Sequence, residues 1–175
     1  IGDNIYGETF LDNYGEVFDL SADGSRVAIG AGDNDGDTIE TGSRTGDYRG
    51  RVRIFEYING NWTQIGNNIN GAATYDHAGE SLSFSADGSI IAIGSEANGG
   101  SKNDGGSIRV FEDSNGAWQQ LGPDIDGKNE IFNISAQPES ISISSDGRTF
   151  AFGVNQQGVD GEIHSWGYDP EELSY

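Results

Sequence analysis

A ten-residue phrase that occurs three times constrains the fold of this chain more than any other feature. It reads SADGSRVAIG at 21–30, SADGSIIAIG at 85–94 and SSDGRTFAFG at 144–153. After each Asp-Gly pair, large apolar residues alternate with small ones, and a period of two is that of a β-strand. Asp-Gly between two strands predicts a two-residue hairpin turn in which glycine supplies the positive φ. The predicted turn residues are Asp23, Gly24, Asp87, Gly88, Asp146 and Gly147.

Each copy of the phrase belongs to a longer repeat unit. A strand with alternating apolar residues precedes the turn, and a variable loop and a third strand follow it. In the first two units an Asn-Gly hairpin then leads to a fourth strand, at 61–65 and 117–121. Four antiparallel strands joined by short turns are typical of one blade of a β-propeller. The chain is therefore predicted to be all-β, a single β-propeller segment over 1–175 with repeat units 1–64, 65–120 and 121–175.

The third unit departs from this pattern. It has no fourth strand after Trp166, whereas residues 1–5 have the sequence of the end of such a strand. Three blades also fall below the roughly four to eight of a closed ring. We therefore expect a partial propeller, whose remaining blades come from a longer parent chain or from a second subunit. A self-contained ring of three blades is the less favoured alternative that the sequence leaves open. The absence of methionine, even at position 1, also leads us to expect an excised or processed piece.

The composition fits a turn-rich protein and excludes several functions. Glycine, at 28 of 175 residues, is far above its usual share of about 7%. The net charge of −20 excludes a general nucleic-acid backbone binder, because phosphates attract basic surfaces. A membrane-spanning helix needs about 18 consecutive apolar residues, and no apolar run in the chain is that long. Without cysteine there is no disulfide, thiolate nucleophile or thiolate metal site.

The acidic loop after the second strand is the candidate metal site. Asp33, Asp35 and Asp37 alternate with Asn34 and Gly36, a spacing of oxygen ligands that is typical of calcium loops. An EF-hand is excluded, because the loop lacks the downstream bidentate glutamate and the flanking helices. Calcium is the one cofactor that the sequence suggests. A solvated acidic loop without a metal is the alternative that it leaves open.

Two polar positions recur just before the first strand of a unit. Asp12 and Asp76 each stand three residues before a glycine, and such an aspartate organises a turn through side-chain-to-backbone hydrogen bonds. His77 adjoins Asp76, and His164 stands where the other units have an arginine. We expect a polar surface or interface role for His164, and no motif marks either histidine as catalytic.

The second unit carries a family resemblance. Residues 79–94, together with GSIRVF at 106–111, resemble FG-GAP-like repeats, which build integrin-alpha-type propellers. The resemblance covers the whole chain and is weakest in the third unit. It implies an extracellular or cell-surface propeller used for adhesion or ligand binding. Such propellers carry a calcium loop between the first two strands of a blade, but the Asp-Gly turn found there is too short to surround an ion that takes about six to eight oxygens.

Non-enzymatic binding of a protein or glycan partner is the function that these features favour. A structural subunit of a surface filament or multi-chain assembly is the alternative, favoured by the incomplete third unit. A propeller-based hydrolase or lyase is a weaker hypothesis, because the chain has no Gly-x-Ser-x-Gly, His-Glu-x-x-His or phosphate-loop motif. We expect the binding residues where the units differ, in 31–49, 95–105 and 128–138. Surface contacts are also expected from the irregularly placed tyrosines Tyr14, Tyr48, Tyr57 and Tyr75.

Overall fold

The computed structural model describes residues 2–8, 12–35, 46–95, 106–126, 141–154 and 162–167. Within these ranges the chain is all-β with antiparallel sheets, as the two-residue periodicity predicts. No helix in the described ranges is long and apolar enough to cross a membrane.

Twelve strands form three sheets in the described residues. The first sheet contains β1 (Phe18–Leu20), β2 (Arg26–Ala31), β3 (Arg51–Ile58), β4 (Asn61–Gln64) and β5 (Ile69–Asn70). The second contains β6 (Ser81–Phe84), β7 (Ile90–Ser95), β8 (Ser107–Asp113) and β9 (Trp118–Asp126). The third contains β10 (Ile141–Ile143), β11 (Thr149–Val154) and β12 (Glu162–Gly167). Neighbouring strands pair in chain order, and β5 pairs with the start of β3.

The hairpin that the repeated phrase encodes has the same register in all three sheets. Leu20 pairs with Val27, Phe84 with Ile91, and Ile143 with Phe150. Each of these pairs closes the ladder next to the Asp-Gly turn. Because side chains alternate across a strand, a shared register puts equivalent residues of every unit on equivalent faces.

The Asp-Gly turn is longer than the two-residue turn that the sequence predicts. Four residues, 22–25, separate Ser21 from Arg26, and the amide of Gly24 donates to the carbonyl of Ser21 over 2.8 Å. The Asp23 carboxylate accepts from Ser21 Oγ at 2.8 Å and from the Ser25 amide at 2.9 Å. Gly24 has a φ of 70°, and the same contacts recur in the other two copies. The predicted turn length was wrong, because the Asp23 carboxylate accepts hydrogen bonds within a wider, four-residue loop and stabilises it.

The sheets stack through a face of large residues and a face of small ones. One buried apolar cluster joins the first two sheets, and another joins the second sheet to the third. On the small face of β2, a Cβ at Gly30 would lie 2.1 Å from the carbonyl oxygen of Gly79. On β7, a Cβ at Gly94 would lie 2.9 Å from Cδ1 of Ile141. Neighbouring sheets therefore approach closely on the small side, as the alternation of large and small residues predicts.

The boundary between the second and third units differs from the sequence prediction. The third unit was predicted to open at residue 121, whereas β9 continues through Asp126 as part of the second sheet. A β-bulge between Ile108 and Val110 shifts the register, so that Ile125 pairs with Ile108. The phrase read as a unit opening is thus the second half of a long strand.

The amino-terminal segment packs against the first sheet. Residues 2–8 form no strand, and Ile5 lies against a buried cluster of Val27, Ile29 and Phe55. A Cβ at Gly2 would lie 3.2 Å from the Trp62 ring. Residues 1–5 have the sequence of the end of a fourth strand, but residues 2–8 cover part of the large-residue face of the first sheet.

Candidate ligand-binding face

Residues with positive φ gather at one end of the first two sheets. Among the described residues, six that are not glycine have positive φ, and Asn59 and Asn115 belong to the Asn-Gly hairpins. The other four lie in loops around Asp33. They are Asn13 (φ 55°), Tyr48 (φ 44°), Tyr75 (φ 66°) and His77 (φ 53°). Such a backbone is uncommon for a bulky residue such as tyrosine, and strained residues of this kind are frequent at functional sites.

Two loops run side by side to hold these residues in place. The amide of Tyr75 donates to the Asp47 carbonyl at 2.7 Å, and the amide of His77 donates to the Tyr48 carbonyl at 3.0 Å. The Ala78 amide then donates to the Arg49 carbonyl at 2.9 Å, which extends this loop pairing by one more hydrogen bond. These bonds tie the loop that precedes β3 to the loop that precedes β6.

Glycine is required where these two loops meet. Gly50 has a φ of 75° and forms a parallel bridge with Ala78. A Cβ at Gly50 would lie 2.2 Å from the Ala78 amide nitrogen. Because this is a backbone atom, no side-chain rotation could relieve the clash. Gly50 therefore permits the close approach that brings Tyr48 beside His77.

The aromatic rings of the two loops form a short stack. Tyr48 lies between Tyr75, with ring centroids 5.7 Å apart, and His77, at 5.5 Å. Both contacts are close to parallel, with interplanar angles of 22° and 21°. Tyr75 is 54% exposed, so one end of the stack is open to solvent.

Two carboxylates face the imidazole at the other end of the stack. Nδ1 of His77 lies 3.3 Å from Oδ1 of Asp33 and 3.4 Å from Oε1 of Glu80. The second Asp33 oxygen accepts from Nδ2 of Asn13 at 3.0 Å. Asp33, His77 and Glu80 form a group of ligand atoms that lie within 4.8 Å of one another. We call the surface formed by Asn13, Asp33, Tyr48, Tyr75, His77 and Glu80 the Tyr48 face.

The predicted calcium residues have separate surroundings in the structure. Asp33 belongs to the Tyr48 face, whereas the buried Asp35 accepts from the Tyr48 amide through Oδ1 at 3.0 Å. Between them, Asn34 donates to Oδ2 of Asp12 at 2.8 Å. Asp37 lies outside the described residues. Calcium binding at this loop stays a prediction, and Asp35 also positions the backbone of Tyr48.

Polar contacts of Asp76 and Asp47 stabilise the two loops that carry the Tyr48 face. The Asp76 carboxylate accepts from the Ala73 amide at 2.8 Å, which is the turn-organising bond expected of this aspartate. Hydrogen bonds from Thr74 and then from Arg49 lower the pKa of the Asp47 carboxyl. Asp47 is therefore ionised at neutral pH and bridges the same two loops through its side chain.

Only part of this face could be predicted from the sequence. Asp33 and Tyr48 fall in the variable stretch 31–49, and Tyr75 was expected among the surface tyrosines. The sequence pattern marks His77 only through its neighbour Asp76, and it does not mark Glu80. The signal that could have found them is the alignment of the turns before β1 and β6, in which His77 matches Asn13.

Comparisons with known proteins bear on the fold alone. No protein-family model and no curated protein matches the chain. Among solved structures, it is similar to a candidate 6-phosphogluconolactonase from Bacteroides uniformis, at 16% identity and a TM-score of 0.52. That match covers 89% of this chain and 37% of the other. TolB from Acinetobacter baumannii is similar at 14% identity and a TM-score of 0.45, over 86% of this chain and 29% of TolB.

The likeness to the Bacteroides structure bears on the fold class. The chain spans less than half the length of either solved structure. Its antiparallel sheets and its likeness to the Bacteroides structure place it among all-β proteins with a propeller-type fold.

Proposed function

We propose that this chain is a non-enzymatic, extracellular β-propeller module that binds a neutral glycan through the Tyr48 face. The observation that carries the proposal is the ring stack of Tyr48 with Tyr75 and His77, built on backbone with positive φ and open to solvent at Tyr75.

The strain in these loops supports a binding role. A left-handed backbone costs a residue with a Cβ about 1–2 kcal/mol. Tyr48, Tyr75 and His77 all adopt it, although asparagine or glycine would adopt it with less strain. A fold selected for stability alone has no reason to keep rings at these positions, whereas a binding surface needs the rings themselves.

The chemistry of the face suits a sugar. The C–H faces of a sugar ring pack on aromatic rings, and its hydroxyl groups donate hydrogen bonds to carboxylates. Tyr75 offers an exposed ring, and Asp33 and Glu80 offer carboxylates on the same face. The net charge of −20 disfavours acidic polysaccharides, so the partner class is neutral.

A glycan array tests this proposal with a matched pair of variants. Tyr75→Asn removes the exposed ring and keeps a residue that tolerates positive φ. Tyr57→Asn removes a ring at the far end of β3, where Tyr57 contacts Trp62. We expect the parent and Tyr57→Asn to bind the same neutral glycans and Tyr75→Asn to lose at least about tenfold in affinity, or about 1.4 kcal/mol.

Two results of that experiment would contradict the proposal. Binding that survives Tyr75→Asn contradicts the assignment to the Tyr48 face. An array on which the folded parent binds nothing contradicts glycan recognition, and a protein then becomes the partner class to test.

An assembly role is the second candidate, and the exposed end of the sheet stack favours it. Phe18 and Leu20 on β1 are 64% and 49% exposed. Their equivalents on β6, Leu82 and Phe84, are only 5% and 6% exposed because the first sheet covers them. We propose that the small-residue face of another blade of this repeat type covers Phe18 and Leu20 and extends the three sheets toward a complete propeller.

Sedimentation velocity tests whether that blade comes from a second copy of the chain. We expect the parent to self-associate with increasing concentration and Leu20→Asp to stay monomeric. Ile58→Asp, which adds the same charge at a residue 39% exposed on β3, should associate like the parent. A parent that remains monomeric at the highest attainable concentration contradicts blade sharing between chains.

The FG-GAP-like identity of the repeats rests on the sequence resemblance and stays a prediction.

Catalysis requires a separate test. The Bacteroides structure is described as a candidate lactonase, and at 16% identity this supports no activity for the present chain. A screen of lactone and glycoside hydrolysis should stay blank, and turnover that disappears in Asp33→Asn would contradict the non-enzymatic proposal.

A further inference from the structure

We infer that Asp33, His77 and Glu80 form a binding site for a divalent transition-metal ion of the zinc type. The inference does not depend on glycan binding, because it rests on the geometry around one atom, Nδ1 of His77. It also differs from the calcium loop predicted at Asp33, Asp35 and Asp37, because two of the three ligands are new.

The two distances from Nδ1 of His77 to the carboxylate oxygens match the coordination shell of zinc. Zinc binds imidazole nitrogen and carboxylate oxygen at about 2.0–2.2 Å in a tetrahedral arrangement. Two ligands of such a tetrahedron are separated by about 3.3–3.5 Å. The separations of Nδ1 of His77 from the Asp33 and Glu80 oxygens are 3.3 and 3.4 Å, and the three ligand groups lie within 4.8 Å of one another. A small closure of the two carboxylates would let one ion contact all three ligands.

The surroundings of Nδ1 suit an electron-pair acceptor placed between the three atoms. The Nδ1 atom is buried and makes no hydrogen bond of acceptable geometry. In a neutral imidazole with its lone pair on Nδ1, this atom would face two carboxylate oxygens that are also electron-pair donors. A proton on Nδ1 would be expected to point along a hydrogen bond to one oxygen, and neither contact has that geometry. A metal ion placed between the three atoms accepts a lone pair from each of them.

The fold holds the three ligands before any ion binds. The Tyr48 ring stacks on the His77 imidazole, and the His77 backbone amide donates to the Tyr48 carbonyl. Asn13 fixes the second oxygen of Asp33. Gly32 lies directly beside Glu80, since a Cβ at Gly32 would be 2.7 Å from Cγ of Glu80. Hydrogen-bonded and packed ligands of this kind are a regular feature of metal sites.

The ligand types select the class of metal. An imidazole nitrogen suits zinc, nickel, copper or iron, whereas calcium takes oxygen ligands in larger number. Three protein ligands also leave a tetrahedral ion with one position for water or for an atom of a partner. His77 is 21% exposed, and the carboxylates of Asp33 and Glu80 are 26% and 28% exposed, so this position is within reach of solvent.

Calorimetric titration of the chelator-treated chain tests the site directly. Zinc chloride is the probe, and calcium chloride is titrated in a parallel arm. We expect one zinc ion per chain and no competition from calcium at equal concentration. His77→Asn removes the nitrogen ligand and keeps a residue that tolerates positive φ. Its side-chain oxygen could still bind calcium. We expect it and Glu80→Gln to weaken zinc binding at least about 100-fold, because the loss of a ligand costs no less than the loss of its outer partner.

Two controls separate the site from nonspecific binding. His164→Gln removes the second histidine of the chain, on β12, and Asp3→Asn removes an exposed acidic group. Both variants should bind zinc like the parent. Circular dichroism establishes that each variant is folded, and the nitrogen-15 imidazole resonance that is missing in His77→Asn should be the one that shifts with zinc in the parent.

Three outcomes overturn the inference. The first is a folded parent that does not bind zinc, which leaves an imidazolium between two carboxylates as the better description. The second is zinc binding that survives His77→Asn or is lost in His164→Gln. The third is calcium that displaces zinc at equal concentration, which returns the loop to the oxygen-only site predicted from its aspartates.

Discussion

The serine that opens each repeated turn makes the same hydrogen bonds in the second and third copies, but it is more deeply buried in the second. Oγ of Ser85 accepts from the Ile90 amide at 3.0 Å and donates to the Asp87 carboxylate at 2.8 Å, and Ser85 is 1% exposed. In the third copy, Ser144 makes the equivalent bonds to Thr149 and Asp146 at 2.9 and 2.6 Å, and both hydrogen bonds are exposed to solvent. We predict that Ser85→Ala destabilises the chain more than Ser144→Ala.

The expected losses in free energy of unfolding depend on whether water can reach the amide that loses its hydrogen-bond partner. A buried N–H group that loses its hydrogen bond costs about 1–3 kcal/mol, and we expect about 2 kcal/mol for Ser85→Ala. Water can replace the hydroxyl at the exposed copy, so Ser144→Ala should cost about 0.5–1 kcal/mol. Asp87 keeps donors from the amide and hydroxyl of Ser89 in the first variant, so its carboxylate adds little to the difference.

Equilibrium urea unfolding measures both variants against the parent. Tryptophan fluorescence and circular dichroism should give coincident transitions with an unchanged slope, which is the condition for comparing free energies of unfolding. An equal or larger loss in Ser144→Ala would refute the argument, because burial would then not govern the contribution of this contact. A loss below about 0.5 kcal/mol in Ser85→Ala would refute it as well.

Two further predictions concern pH and sheet stacking. Hydrogen bonds, chiefly from the Ser25 amide, lower the Asp23 pKa from 3.8 to about 2. Its stabilising contribution is therefore full above pH 3.8 and disappears as pH falls through about 2, so Asp23→Asn should flatten acid unfolding curves over that window. Gly30→Ala brings a Cβ against the Gly79 carbonyl and should cost about 3 kcal/mol or more. The control Gly15→Ala, in open space at φ 87°, should cost only about 1 kcal/mol in urea unfolding.

The strands could be predicted from sequence because their signal is local. Alternation in 27–30 and 91–94 fixes which residues share a face, and the observed pairs Leu20 with Val27 and Phe84 with Ile91 follow from it. The bulge between Ile108 and Val110 lies opposite Gly122, with a φ of 69°, and Pro123 of β9. A Gly-Pro pair is equally typical of a loop that opens a new unit, so the sequence did not place it inside a strand. That single irregularity lengthens β9 and moves the unit boundary.

The candidate site could be predicted only in part because it joins residues that are distant in sequence. Asp33 and Tyr48 were found in a variable loop, which is a local property. His77 and Glu80 reach Asp33 only after the first two sheets have stacked and Gly50 has met Ala78. Positive φ at Tyr48 and Tyr75 is a second signal that composition does not carry, since tyrosine is an unusual residue for that backbone.

The repeat itself predicts how many metal sites the chain holds. Aligning the copies of the phrase places Gly30 on Gly94, and three residues further on Asp33 aligns with Ala97. The turn before β1 places Asn13 where the turn before β6 has His77, and both have positive φ. An alanine at 97 supplies no ligand, so the contact that Asp33 makes with the next turn cannot recur one unit later. The expected stoichiometry is therefore one zinc ion per chain, and a measured value of two would show that the site arises from acidic surface in general rather than from the junction of the first two sheets.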